Sequence, residues 1–307
     1  SNNRLAIFDV SDPNNIVPRG YAGSGLNWPY GVYVSGKYAY VASRGNNRLV
    51  IFDVSDPDNI VQVGYTSTNL NAPWSVRVVG HYAYVASAYN DRLVIFDVSD
   101  PANIVPRGYT SANLDDPFSV YVSGRYAYVA SYRNDTFAIF DVSDPDNIVP
   151  KGYIASSTYL DGAYAVQVAG QYAYVVSNNS NRLVVFDVSD PNNIVRKGST
   201  NAYLNDPSSV YVAGRYAYVV SYSNSRLIVY ELNHLETPTL ETGSLQSGYL
   251  DVTDNAIVGN DLHVQGAIDE VKGVVDELHH LPGGKGLPAT VRETAEQGLR
   301  RIDTVLG

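Results

Sequence analysis

The sequence predicts an all-β fold, a β-propeller of four-stranded blades, and three observations carry that prediction. The stretch RLVIFDVSDP, beginning at Arg48, recurs as RLAIFDVSDP from Arg4, RLVIFDVSDP from Arg92, TFAIFDVSDP from Thr136 and RLVVFDVSDP from Arg182, with a worn copy, RLIVYELNHL, from Arg226. Its aspartates, at 9, 53, 97, 141 and 187, lie 44, 44, 44 and 46 residues apart, and Glu231 follows 44 later. A period of this size marks stacked supersecondary units. Between residues 1 and 235 no apolar stripe of helical period interrupts the repeats.

The unit from Tyr30 to Pro73 shows how each repeat divides. Tyr30 to Val34 is a β-favouring run that ends at the turn Ser35-Gly36-Lys37, and Tyr38 to Ser43 is a second run. The polar loop Arg44-Gly45-Asn46-Asn47 leads into Leu49 to Val54, whose near-continuous apolar character predicts a strand buried on both faces. Ser55-Asp56-Pro57-Asp58-Asn59 is a turn in which Pro fixes φ and Asp and Asn hydrogen-bond locally. Ile60 to Tyr65 is the fourth run, before a longer loop from Ser67 to Pro73. Four short antiparallel strands per unit, each blade covering its neighbours, is the arrangement of a propeller.

The marker Tyr-Ala-Tyr occurs five times, at 38–40, 82–84, 126–128, 172–174 and 216–218, whereas third strands occur six times. Residues 249–266 read as a decayed first and second strand, because Gly243 and Gly259 repeat the interval between Gly20 and Gly36. The expected fold is therefore six blades, closed by N- and C-terminal strands that share one blade and so remove exposed edges. Five blades is the alternative: 250–266 also resembles the Gly/Asn-rich β stretches of phage tail fibres and bacterial surface proteins, and 244–266 would then be a separate stalk or oligomerising element. Beyond Gly266 the period turns helical, with Ile268, Val271, Val275 and Leu278, and then Val291, Ala295, Leu299, Ile302 and Leu306, on either side of Pro282-Gly283-Gly284. The expected domains are a β-propeller over 1–266 and a C-terminal helical hairpin over 267–307, which packs on the propeller or pairs with copies of itself.

Composition narrows the function classes. Net charge is −10, which argues against nucleic acid and anionic membrane surfaces as partners. There is no cysteine, hence no disulfide and no thiolate metal site, and no run of 18 apolar residues suited to crossing a membrane. Charged residues are only 17%, so Asn, Ser, Gly and the 26 tyrosines must supply much of the polar surface. The chain opens at Ser1 with strand-like sequence and shows no signal peptide; a processed or fragmentary N-terminus is expected.

At its FDVSDP and YAYVAS stretches the chain resembles the LVIVD-repeat family, the core standing here as Leu93-Val94-Ile95-Phe96-Asp97 and Leu183-Val184-Val185-Phe186-Asp187. The resemblance covers about residues 1–235. It implies a β-propeller of bacterial and archaeal proteins that are often exported or surface-associated. It implies no particular reaction, since the family has no agreed catalytic residues.

The repeated acids, such as Asp53, Asp56 and Asp58, suggest calcium, but no calcium-loop pattern accompanies them and a self-bonded turn needs the same residues. No cofactor is expected. Nucleophile-elbow, zinc, phosphate-loop and dinucleotide motifs are all missing from the sequence. Asp115, Asp116, Asp161 and Asp206 are candidate carboxylates to be assembled across blades. The loops joining fourth to first and second to third strands share one face of a propeller, and there the repeats differ most. That face holds Trp28, Tyr89, Tyr132, Tyr159, Asp161, Tyr203 and Tyr222, and first strands open with Tyr30, Trp74, Phe118 and Tyr164. Aromatic rings beside amide and carboxylate groups are suited to a sugar or a partner protein, although the strand-opening rings also serve to cap blade interfaces. The expectation is a non-enzymatic binding or structural module, extracellular or at a cell surface, with a protein or glycan at the loop face. Its alternatives are a glycan-binding module or carbohydrate-active enzyme, and a surface-fibre component trimerised through 244–307.

Overall fold

The computed structural model describes residues 3–232. The chain divides into a unit of Ser1–Leu240 and a unit of Glu241–Gly307, and the described residues belong to the first. A two-stranded sheet, β1 (Leu5–Asp9) and β2 (Val17–Ala22), comes first. The first blade is β3 (Pro29–Ser35), β4 (Tyr38–Ser43), β5 (Arg48–Asp53) and β6 (Val61–Thr66). The second is β7 (Pro73–Val79), β8 (Tyr82–Ser87), β9 (Arg92–Asp97) and β10 (Val105–Thr110). The third is β11 (Pro117–Ser123), β12 (Tyr126–Ser131), β13 (Thr136–Asp141) and β14 (Val149–Ala155). The fourth is β15 (Ala163–Ala169), β16 (Tyr172–Ser177), β17 (Arg182–Asp187) and β18 (Val195–Thr200). The fifth has three described strands, β19 (Pro207–Ala213), β20 (Tyr216–Ser221) and β21 (Arg226–Glu231). Every pairing is antiparallel, and the first strands β3, β7, β11, β15 and β19 lie side by side as the inner wall.

Burial on both faces of the third strands follows the sequence pattern. Leu49 and Ile51 pack with Val76, Val78 and Phe96 of the second blade. Their neighbours Val50 and Phe52 turn the other way, toward Leu5 and Ala22. All four are fully buried, and each large apolar side chain so buried contributes about 1.5–3 kcal/mol. The same division recurs between the second and third blades, where Leu93 and Ile95 meet Val120, Val122 and Phe140.

Polar contacts at both rims add to this packing. At one rim the Asn or Asp that ends the second-to-third-strand loop reaches the next blade. Asn47, Asp91, Asp135 and Asn181 accept, through Oδ1, the N–H of Ala72, Asp116, Gly162 and Asp206 at 2.7–2.9 Å. Asn3 serves Trp28 in the same way at 3.1 Å. At the other rim the fourth-strand glycine sits against the carbonyl of the next blade's Asp-Pro turn. A Cβ at Gly108 would lie 2.6 Å from Pro145 O, and one at Gly152 would lie 2.5 Å from Pro191 O. Gly20 and Gly64 face Pro57 and Pro101 alike, whereas no described residue lies within 4 Å of a Cβ at Gly198.

Among the described residues the six-blade expectation finds no support. The described residues form five blades, and β1–β2 stands as a two-stranded sheet with no inner strands paired to it among them. Val76 and Val78 are 5% and 3% exposed against the first blade, but their counterparts Val32 and Val34 are each 56% exposed. Among the described residues nothing covers the inner face of the first blade. Residues 249–266 and the helical hairpin expected over 267–307 lie outside the described residues, as does the 266 boundary. No α-helix occurs among the described residues.

The glycine contacts are testable by overpacking. Gly108→Ala should destabilise the propeller by about 1–3 kcal/mol in urea unfolding, since the obstacle is backbone rather than a movable side chain. Gly198→Ala, with none of the described residues near the added Cβ, should be neutral or slightly stabilising. Equal effects at the two positions would rule out the carbonyl contact as their cause.

Candidate ligand-binding face

The residue that opens each first strand is a β-bulge. Pairing of first to second strand shifts between Pro29 and Gly31, Pro73 and Ser75, Pro117 and Ser119, Ala163 and Ala165, and Pro207 and Ser209. The skipped residues are Tyr30, Trp74, Phe118, Tyr164 and Ser208. A bulge breaks the alternation of faces and re-aims its side chain, and here it turns four successive aromatic rings toward one another. Two residues earlier the backbone is left-handed at Trp28, Ala72, Asp116, Gly162 and Asp206, with φ of 47° to 67°. The Asn or Asp hydrogen bonds at the rim hold that conformation in place.

The rings form a ladder. Tyr30 lies 4.2 Å from Trp74, which stacks on Phe118 at 4.1 Å and 4° between planes, and Phe118 stacks on Tyr132 at 4.8 Å. Tyr164 presents its edge to Phe118 at 5.3 Å, and burial raises its hydroxyl above the usual tyrosine range. Such contacts contribute about 0.5–1.5 kcal/mol each beyond buried area. Around Arg44 the cluster becomes a cage. The guanidinium carbon is 4.7 Å from the Trp74 ring, 5.4 Å from Tyr89, and 5.7 Å from both Trp28 and Tyr30. Arg44 Nη2 donates to the Tyr89 hydroxyl at 2.5 Å. Phe118 is buried, whereas Trp28, Tyr30 and Tyr89 keep just over half their surface in solvent.

Seven of the expected face residues therefore converge: Trp28, Tyr30, Trp74, Tyr89, Phe118, Tyr132 and Tyr164. Asp161 joins through an intermediary, for Asn179 donates to Asp161 Oδ1 at 2.9 Å and accepts from the Tyr132 hydroxyl at 3.2 Å. Tyr159 is used otherwise. Arg48 and Arg92 lie over Tyr65 and Tyr109 at 4.2 and 4.0 Å, but at Ser199 the corresponding ring is missing. Tyr159, from the loop with two extra residues, covers Arg182 and Arg196 at 5.3 and 4.2 Å instead. Tyr203 and Tyr222 stand exposed on the fifth blade, outside the cluster. Sequence reasoning missed Arg44, Arg77 and Asn179. Their signal was departure from the repeat, since Arg44 stands where the other blades have Ala88, Tyr132, Asn178 and Tyr222.

Of the four candidate carboxylates, only Asp115 and Asp116 come together, and Asp91 joins them, the oxygens lying within 4.8 Å of one another. Burial, and next the charge of Asp91, raise the Asp115 carboxyl. The group already has a cation, because Arg133 donates from Nε to Asp116 Oδ2 at 3.0 Å. Asp161 is held by Asn179, and Asp206 by the Ser223 hydroxyl. In the repeated turn, Asp53 Oδ1 accepts the Ser55 N–H at 2.9 Å and hydroxyl at 2.6 Å, and Asp56 Oδ1 accepts the Asp58 N–H at 3.0 Å. Those oxygens serve their own turn, which is the chemistry the repeated acids perform here.

The LVIVD repeat pattern matches residues 30–68, 72–108, 117–155, 162–202 and 206–229, one stretch for each of the five blades. The chain belongs to the LVIVD-repeat family. No curated protein matches it in sequence. Solved structures similar to this LVIVD-repeat chain include a protein from Lactobacillus plantarum, 14% identical with a TM-score of 0.66 over 75% of this chain and 78% of that one. Another is the periplasmic gluconolactonase of Pseudomonas aeruginosa, 17% identical with a TM-score of 0.63 over 74% and 73%. A third, from Bacteroides fragilis and proposed to be a 6-phosphogluconolactonase, is 13% identical with a TM-score of 0.64 over 74% and 73%. At these identities the likeness is one of fold.

The turn aspartates make the repeat acid-sensitive. Asp53, Asp97 and Asp187 are lowered foremost by the serine hydroxyl two residues on, and Asp9 foremost by the Ser11 N–H. Asp141 lies well below the carboxylate range, mainly through Arg125, with Ser143 adding to it against the opposing effect of burial. Folded carboxyls thus hold protons more weakly than unfolded ones near pKa 3.9. Their stabilisation is complete above that value and is lost as pH falls through it toward the folded pKa. Asp141→Asn should cost about 1–2 kcal/mol at pH 7 and flatten the loss of stability between pH 5 and 2. Thermal unfolding across that range checks it, and an unchanged acid slope would remove Asp141 from the account.

Proposed function

We propose that this LVIVD-repeat chain is a non-enzymatic binding module, extracellular or at a cell surface, whose propeller presents the aromatic end of its inner strands to a partner. The observation that carries this is a set of half-exposed rings, Trp28, Tyr30 and Tyr89, mounted on a stacked base of Trp74, Phe118 and Tyr132. Exposed rings held rigid by buried ones lose little entropy on binding, which is what gives aromatic anchors their affinity. Self-association through 267–307 would present several such faces at once and raise avidity.

A second reading is a carbohydrate-active enzyme. It draws on the lactonase names among the fold relatives and on Asp161, linked through Asn179 to the aromatic ladder. The binding reading has more support, because Asp161, Asp206 and the Asp115–Asp116 pair are each engaged by a local donor.

Both tryptophans of the chain lie in this cluster, so intrinsic tryptophan emission reports on it alone. A panel of soluble bacterial cell-wall and plant oligosaccharides should include members that shift that emission, with Trp28→Ala weakening half-saturation about tenfold or more. No shift across the panel would count against the face. Hydrolysis of gluconolactone should stay at the uncatalysed rate. Turnover that disappears in Asp161→Asn would establish the enzyme reading instead.

A further inference from the structure

The charge of the aromatic end points to the class of its ligand. Among the described residues, two guanidiniums have an Nε that is buried without a hydrogen-bond partner, those of Arg44 and Arg77. Neither takes part in a carboxylate ion pair among the described residues, in a chain of net charge −10 with 31 Asp and Glu. Arg44 has the Tyr89 hydroxyl as its side-chain hydrogen-bond acceptor and is otherwise ringed by π faces. Arg77 lies on β7, three residues after Trp74 and so about 10 Å further along the inner wall. It is sandwiched between Tyr33 and Tyr121 at 4.5 Å from each. Its counterparts in the other blades are Tyr33, Tyr121, Gln167 and Tyr211, so the charge is particular to this blade. Cation–π contacts stabilise a guanidinium through its faces and leave its positive charge without a counter-ion; with Nε buried and one Nη2 bond given to Tyr89, an anion would meet Arg44 at its remaining Nη hydrogens.

Resting on the aromatic-face reading above, we propose that the ligand is a carboxylate-bearing sugar, a uronic acid within a polysaccharide. Its ring stacks on Trp28 or Tyr30 and its carboxylate pairs with Arg44, with Arg77 adding positive potential deeper along the wall. A guanidinium pairing with a carboxylate forms charge-assisted bonds about twice as strong as neutral ones. A sugar fits better than a protein, because the loops beside the rings are Gly23-Ser24-Gly25-Leu26-Asn27 and Gly45-Asn46-Asn47. They are polar, their asparagines bonding within the rim, and present little of the apolar surround that shields a protein hot spot.

The test titrates the full chain with oligogalacturonate and with the same oligomer fully methyl-esterified, reading tryptophan emission. Oligogalacturonate should half-saturate at a concentration at least tenfold lower, and the difference should shrink with added salt. Arg44→Gln should abolish the preference for acid over ester while the variant still binds the ester, and Arg44→Lys should keep part of it. Equal binding of acid and ester would overturn the inference while leaving the aromatic face standing. A response to poly-glutamate with none to oligogalacturonate would overturn it in favour of an acidic protein partner. No response to any of these, or to the wider oligosaccharide panel, would remove both readings.

Discussion

Each blade must bury both faces of its sheet, and the rest of the structure depends on how that is done. A sheet six or seven residues tall has too little area to stand alone, so its third strand carries apolar side chains to both sides. Leu49 and Ile51 go to one neighbour, Val50 and Phe52 to the other. Hydrophobic contact has no direction, however, and would tolerate sliding. Register between blades is set by the polar contacts at the rims. At one rim an Asn or Asp Oδ1 meets a left-handed N–H, and at the other a glycine lies against a proline carbonyl. The second contact explains why the fourth strand keeps a glycine that a strand would otherwise disfavour.

The blade was legible in the sequence because its constraints are periodic. A run such as Leu49-Val50-Ile51-Phe52 declares two buried faces, and Ser-Asp-Pro declares the turn that follows. The rim contacts were not legible, although their residues recur just as faithfully. Gly64 and Pro101 lie 37 residues apart and meet only across a blade boundary. Asn47 and Ala72 are similarly separated, and only the fold shows that a loop side chain in one unit satisfies a backbone donor in the next. The blade count is legible only as far as the repeat marker runs, for each of the five blades among the described residues carries Tyr-Ala-Tyr. A faint glycine interval suggested inner strands after residue 248, which lie outside the described residues, and none of the described residues covers Val32 and Val34.

At the aromatic end the sequence supplied the residues but not their joining. Composition marked Tyr30, Trp74, Phe118 and Tyr164 as equivalent, and in an ordinary strand they would face their blades separately. The bulge at each of these positions brings them together, and a bulge has no composition of its own to announce it. Tyr159 shows the reverse error. It was grouped with the face as an unrepeated aromatic in a loop with two extra residues, yet it fills the place left by Ser199 over Arg182. A departure from the repeat can therefore be compensation within the scaffold, and only its surroundings distinguish that from a site.

Arg44 passes that distinction because of where the ladder begins. In the ladder each ring is covered by the one before it: Tyr30 lies on Trp74, and Trp74 on Phe118. The first ring has no predecessor, since no inner strand of an earlier blade is paired ahead of β3 among the described residues. Tyr30 and Trp28 are consequently left half in solvent, and burial grows along the ladder to Phe118 at 9% exposed. A uniform ring of blades would offer every aromatic the same cover and so no preferred place to bind. Among the described residues the first blade breaks that equivalence, and the one arginine found at that loop position in the five repeats stands there, over the half-exposed rings.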